Sequence, residues 1–216
     1  MPNPQRAEKA KEVVFLLRKL YPDAHCELYF KNPLELAIAT ILSAQCTDKR
    51  VNLVTPTLFK KYKTVTDYAN ANIHDIEAII RPTGFFRSKA LSIQQSAKRL
   101  IQKFGGEIPK TMKELITLRG IARKTANVVL GTAFGLAEGI VVDTHVKRVA
   151  FRLGLTRQTN PVLVEKDLIP IVPQKDWIFL GHAIVQHGRR ICKARNPDCP
   201  NCLLNPLCLY AKKTTR

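Results

Sequence analysis

Four cysteines crowd into seventeen residues near the end of the chain: Cys192, Cys199, Cys202 and Cys208, separated by six, two and five residues. Thiolates at such spacing can wrap around a metal centre. Zinc ribbons usually present two Cys-x-x-Cys knuckles, and here only Cys199 and Cys202 form one. From the residues alone, an iron–sulfur cubane and a zinc ion both remain open. A secreted disulfide framework would spread its cysteines through a short chain, which this is not. Cys26 and Cys46 stand alone in apolar contexts and read as small buried hydrophobes. Lys193 and Arg195 fall in the loop between the first two ligands. Pinned at both ends by metal, that loop would hold two cations against a phosphate; otherwise they are solvated surface charges.

A second constellation centres on an amine. The stretch from Leu118 to Ala126 lies between two helical patterns, about Lys113 to Leu118 and Arg123 to Phe134. A tight turn feeding a helix N-terminus leaves amides pointing outward, where they grip a phosphate without reading sequence. Gly120, Ala122, Arg123 and Thr125 are the candidate contacts. Lys124 occupies the first turn of the second helix. The positive end of the helix dipole disfavours an added charge there, which favours loss of its proton. A neutral amine can attack a sugar C1′ and form a Schiff base, although a phosphate-binding lysine is the plainer use of the position.

Nineteen positions on, Asp143 precedes another helical pattern in Val142-Asp143-Thr144-His145-Val146. A capping carboxylate accepts backbone amides, which keeps it ionised. Near a departing base it would stabilise a cationic sugar, the demand that glycosidases meet; a purely structural cap is the alternative. His145, His182 and His187 read as surface or packing histidines rather than ligands.

The elements that must carry these groups are helical almost throughout. Val13, Leu16, Leu17 and Leu20 form one apolar stripe. Asn32-Pro33 with Glu35 marks a helix start, and the apolar run from Leu34 to Ala44 predicts a centrally buried helix. Thr47 and Asp48 start the next helix, which Pro56 should end or kink. Ala90 to Phe104 is amphipathic and closes at Gly105-Gly106; Asn160-Pro161 opens a further helix, and Trp177 to Val185 supplies one more apolar face. The expected fold class is all-α.

Charge narrows the partner. Thirty-five Lys and Arg against seventeen Asp and Glu leave +18, and the sequence pI is near 9.9. That surplus favours a polyanion, most commonly nucleic acid. No apolar run approaches the ~20 residues needed to span a bilayer, and Val13 to Leu17 is too short for a signal-peptide core. No membrane partner is expected, and a cytoplasmic, nucleoid-associated monomer is.

Together these stretches resemble endonuclease III, in the iron–sulfur branch of the helix–hairpin–helix DNA glycosylase superfamily. The similarity runs from about Ala24 to Leu209. It rests on Leu42-Ser43-Ala44-Gln45-Cys46-Thr47-Asp48, the Gly120 to Val129 hairpin, Val142 to Val146, and the four-cysteine ending. The resemblance implies two helical domains with DNA bound between them. One, residues 26–137, would be a six-helix barrel carrying the hairpin. The other, residues 1–25 plus 138–216, would hold a 4Fe–4S cluster on the four cysteines. It further implies Lys124 as the Schiff-base nucleophile and Asp143 as the catalytic carboxylate. Gln45 aligns with the residue that fills the gap left by a flipped nucleotide, and Phe85 with an apolar wedge opposite it. The implied substrates are oxidised or ring-saturated pyrimidines and abasic sites in double-stranded DNA. Monofunctional relatives carry a non-amine residue where this chain has Lys124. A non-catalytic DNA-binding module would bind without cutting.

Two residues depart from the usual Leu-Pro-Gly-Val-Gly hairpin: Arg119 replaces the proline and Ala122 the second glycine. Losing the proline relaxes the turn by about 0.5–1 kcal/mol. Alanine would cost about 1 kcal/mol if a left-handed backbone is required. Arg119 offers a phosphate contact in exchange. Both changes bear on DNA affinity rather than on the chemistry.

Overall fold

A computed structural model describes residues 4–211, so the extreme ends of the expected cluster domain, residues 1–3 and 212–216, lie outside the described residues. Those described are all-α: eleven α-helices and three short 3-10 turns, with no strand among them. The chain divides into two compact units, Met1–Cys26 with Ala137–Arg216, and Glu27–Leu136.

The continuous unit contains α2 (Pro33–Leu42), α3 (Asp48–Lys61), α4 (Val65–Asn70), α5 (Ile73–Ile80), α6 (Phe86–Phe104), the single-turn α7 (Met112–Leu115) and α8 (Arg123–Phe134). Helix α2 is its centre, because every residue from Leu36 to Leu42 is buried. Its start is set locally: the Asn32 side chain accepts from the Glu35 amide, and Pro33 stands where no donor is missed. Helix α3 starts at the Thr47 cap and runs through Pro56 to Lys61, so the proline does not end it. Burial of Val51, Val54, Thr55 and Leu58 along one face outweighs the lost hydrogen bond. Helix α6 closes at Gly105, whose φ of 60° and the bond from Gly106 to the Leu100 carbonyl form a left-handed stop.

The discontinuous unit holds α1 (Pro4–Leu20), α9 (Thr144–Leu153), α10 (Pro161–Leu168) and α11 (Trp177–Arg190). Its core joins Val13, Val14 and Leu17 of α1 to Val146, Val149 and Leu153 of α9 and Leu180 and Ile184 of α11. An ion pair from Arg18 to Asp176, 2.6 Å long, secures α1 beside the start of α11. No helix among the described residues is long and apolar enough to cross a membrane.

The isolated cysteines differ from expectation. Cys26 and Cys46 are half-buried rather than buried, because both fall in loops between helices instead of on an apolar helix face.

Candidate functional site

Lys124 stands in the exposed first turn of α8. The helix start is unusual in having no side-chain cap, since Ala122 has no oxygen to offer. Gly120 makes the turn before it with φ +82°, and a Cβ there would meet Ser92 Cβ at 3.0 Å. Both the backbone sign and the close approach require glycine at this point. Ala122, by contrast, is extended at φ −86°, ψ 172°, so the glycine-to-alanine departure carries no left-handed strain. Arg119 spends part of its guanidinium on Gln95 Oε1 at 2.9 Å, and Ser96 Oγ donates to the Arg119 carbonyl at 2.8 Å. These two bonds to α6 hold a turn that lacks the proline. The helix preceding the turn is shorter than its pattern suggests. After Leu115 the chain tightens into i→i+3 turns, with Thr117 Oγ1 donating to the Glu114 carbonyl at 2.7 Å. Arg123 is exposed and Thr125 half-buried beside Lys124.

Two loops of the same unit carry Gln45 and Phe85. Both are exposed, Phe85 by 65%. Both are non-glycine residues in left-handed backbone, at φ 52° and 47°. Each such residue costs about 1–3 kcal/mol and persists only where its surroundings impose it. Beneath them lies Lys89 of α6, buried and aimed at backbone carbonyls. Burial lowers its pKa, with the Cys46 sulfur acting in the opposite sense. Helical spacing with Ile93 and Leu100 puts Lys89 on the apolar stripe of α6. That charge on a core-facing position was the available signal, and it had no sequence-level explanation.

In the other unit Asp143 is the N-cap of α9: its Oδ1 accepts the His145 and Val146 amides, both at 2.8 Å. The second carboxylate oxygen takes neither bond. The same helix reaches the cysteine segment one and two turns on. Arg148 donates to the Gly188 and Cys192 carbonyls, at 2.9 and 3.2 Å. Arg152 donates to the Lys193 and Ala194 carbonyls, at 2.7 and 3.0 Å. Lys193 and Arg195 thus ride, exposed, on a loop clamped to α9. Asn196 within it is the third non-glycine residue of positive φ among those described.

Cys192, Cys199, Cys202 and Cys208 line one cavity, and all four are free thiols. Burial pushes the Cys202 thiol up to about 11 and raises Cys199 as well. Such thiols give up their protons readily only to a positive centre that replaces them. A single zinc ion would need its ligands converged at about 2.3 Å from one point. No group of three or more His, Cys, Asp or Glu among the described residues is close enough to hold one ion. Four sulfurs lining one cavity are a donor set suited to a thiophilic metal centre. His187, read from the sequence as a surface or packing residue, is buried and lines this cavity. Its Nε2 lies 3.6 Å from Cys202 Sγ and its Nδ1 3.1 Å from the Tyr21 hydroxyl. Burial lowers the His187 pKa to about 4.

Residues 38–174 match the model of the HhH-GPD superfamily base excision DNA repair proteins. Endonuclease III of Synechocystis is 50% identical over 207 residues, 96% of this chain and 94% of the relative. The chain belongs to the endonuclease III family. A solved non-covalent endonuclease III–DNA complex matches with TM-score 0.92 and 45% identity, over 97% of this chain and 98% of that one. A trapped endonuclease III–DNA covalent intermediate matches at TM-score 0.92 and 46% identity, over 97% and 99%. The likeness to endonuclease III therefore extends over nearly the whole chain.

Proposed function

We propose that this chain is a bifunctional DNA glycosylase and abasic-site lyase of base excision repair, acting on oxidised pyrimidines in double-stranded DNA. The observation that carries the reading is the near-complete match, at 46% identity, to an endonuclease III trapped as a covalent DNA intermediate. A covalent intermediate needs a nucleophile, and the exposed lysine in an uncapped first turn is suited to that role.

In this mechanism the Lys124 amine attacks C1′ of the damaged nucleotide as the bond from C1′ to the base breaks, and the base leaves with the bonding pair. Loss of a proton from nitrogen and opening of the sugar give an imine between Nζ and C1′. Removal of a C2′ proton then expels the 3′ phosphate by β-elimination, and water releases the lysine. The Asp143 carboxylate stabilises positive charge on the sugar as the base departs. Gly120, Ala122, Arg123 and Thr125 grip the phosphate backbone at the hairpin, and Lys193 and Arg195 add charge from the clamped loop. Gln45 and Phe85 fill the stack that the extruded nucleotide leaves.

Cys192, Cys199, Cys202 and Cys208 would hold a 4Fe–4S cluster. When bound, it supplies a covalent tie between the end of α11 and the segment after it, and no bond-breaking step. The protein acts as a monomer in the nucleoid.

Borohydride reduction on an abasic-site duplex tests the reading. Wild type should give a covalent adduct that Lys124→Ala abolishes while still binding the duplex. Binding without an adduct in the wild type would leave only a DNA-binding module, and base release without one a monofunctional glycosylase. Iron analysis of the brown or colourless protein decides the cofactor.

A further inference from the structure

The buried ammonium of Lys89 bonds two carbonyls that are far apart in sequence. Its Nζ donates to Leu42 O and to Thr83 O, each at 2.8 Å. Leu42 is the last residue of α2, and Thr83 ends the short turn Arg81–Thr83. Three residues beyond the first carbonyl comes Gln45; two beyond the second comes Phe85. These are the two exposed non-glycine residues of left-handed backbone in the continuous unit. The Lys89 amide also donates to Phe85 O at 3.0 Å, so one residue grips the second loop on both sides of its strained turn.

Lysine is a costly residue to bury for packing alone. An aliphatic side chain would fill the space without desolvating a charge, but would leave both carbonyls without this partner. At the end of α2 the ammonium also meets the negative pole of the helix. What the cation adds beyond stability is a fixed separation between the bases of two loops. A strained, exposed pair of loop tips held from beneath is ordered before it meets a ligand, so contact need not order it.

We propose that Lys89 is a positioning residue that locks the Gln45 and Phe85 loops into a single preformed probe of the DNA base stack. This rests on the repair reading above, in which those two side chains occupy the space of an extruded nucleotide. Its role belongs to extrusion and not to the amine chemistry, because a nucleotide already lacking its base presents nothing to unstack.

Full-length Lys89→Met and Lys89→Gln test this on two substrates. On a duplex carrying a damaged pyrimidine beside 2-aminopurine, Lys89→Met should slow both the fluorescence rise and single-turnover base release by about tenfold or more. On a preformed abasic-site duplex its borohydride adduct should form at close to the wild-type rate. Lys89→Gln, which keeps a neutral NH2 donor group, should recover part of the loss. Equal slowing on the two substrates, no slowing on either, or loss of cooperative melting in both variants would overturn the proposal and leave Lys89 a stability residue. Wild type that neither releases bases nor forms an adduct would instead sink the repair reading, and the role of Lys89 with it.

Discussion

Arg152 donates through Nη1 to the sulfur of Cys192 at 3.3 Å. The same guanidinium holds the Lys193 and Ala194 carbonyls and lies 4.4 Å over the Tyr210 ring. One planar fork thus joins a metal-ligand candidate, the loop that follows it and the segment after Cys208 to helix α9. Asp143 begins that helix, so the carboxylate and the cationic loop share one rigid support.

Arg152→Lys should therefore weaken DNA binding although the charge is unchanged, because an ammonium cannot reproduce three convergent bonds. The expected loss is roughly threefold to tenfold in affinity. Duplex titrations at several salt concentrations check it. Wild-type affinity in Arg152→Lys would show that net charge, not loop order, is what matters there.

Gly120→Ala should destabilise the continuous unit by about 2–3 kcal/mol, the left-handed backbone term plus overpacking. The steric share comes from the contact a new Cβ would make with Ser92 Cβ at 3.0 Å. Ser92→Gly in the same background should return only that share. Ala122→Gly should leave stability unchanged or raise it by up to about 1 kcal/mol, since glycine is the better N-cap. Urea unfolding measures all three. A gain well above about 1 kcal/mol in Ala122→Gly would contradict the extended backbone at that position.

Local rules made much of this legible in advance. The Asn32 and Asp143 caps, the bounds of α8 and the glycine stop of α6 each depend on neighbours within a few residues. The cysteine spacing is likewise local, and the structure sets the four thiols around one cavity. What stayed hidden depends on partners far along the chain. Lys89 needs the carbonyls of Leu42 and Thr83, Arg152 needs a loop forty residues away, and His187 needs Tyr21 from α1. In each case a polar side chain sits on a helix face whose pattern speaks only of burial. Pro56 shows the converse: its local penalty is real, yet the helix runs through it to Lys61 on a buried face.

Acid should weaken the discontinuous unit through His182. Its pKa is lowered from 6.5, first by burial and then by His25. Below about pH 6.5 the unfolded chain binds a proton that the folded ring refuses, so stability is full above that value and falls as pH drops toward the folded pKa. His187 is displaced in the same direction, so replacing His182 removes only part of the effect. His182→Gln should show a smaller fall in urea midpoint between pH 7 and pH 5 than wild type. Parallel pH profiles for the two proteins would rule out this contribution.

Asp143 does two things that one substitution can separate. An asparagine side chain in its place would keep an oxygen for the His145 and Val146 amides, whereas alanine would lose the cap. Asp143→Asn should melt within a few degrees of wild type yet release damaged bases about 100-fold more slowly, the scale of removing one aligned electrostatic partner. Asp143→Ala should add a stability loss of about 1 kcal/mol without slowing base release much further. Cleavage of a preformed abasic site should suffer less in both variants, because no base has to depart. Single-turnover assays on the two substrates, with thermal melts alongside, distinguish the roles. If Asp143→Asn releases bases at the wild-type rate, the carboxylate is a helix cap and the sugar's charge must be met by another group.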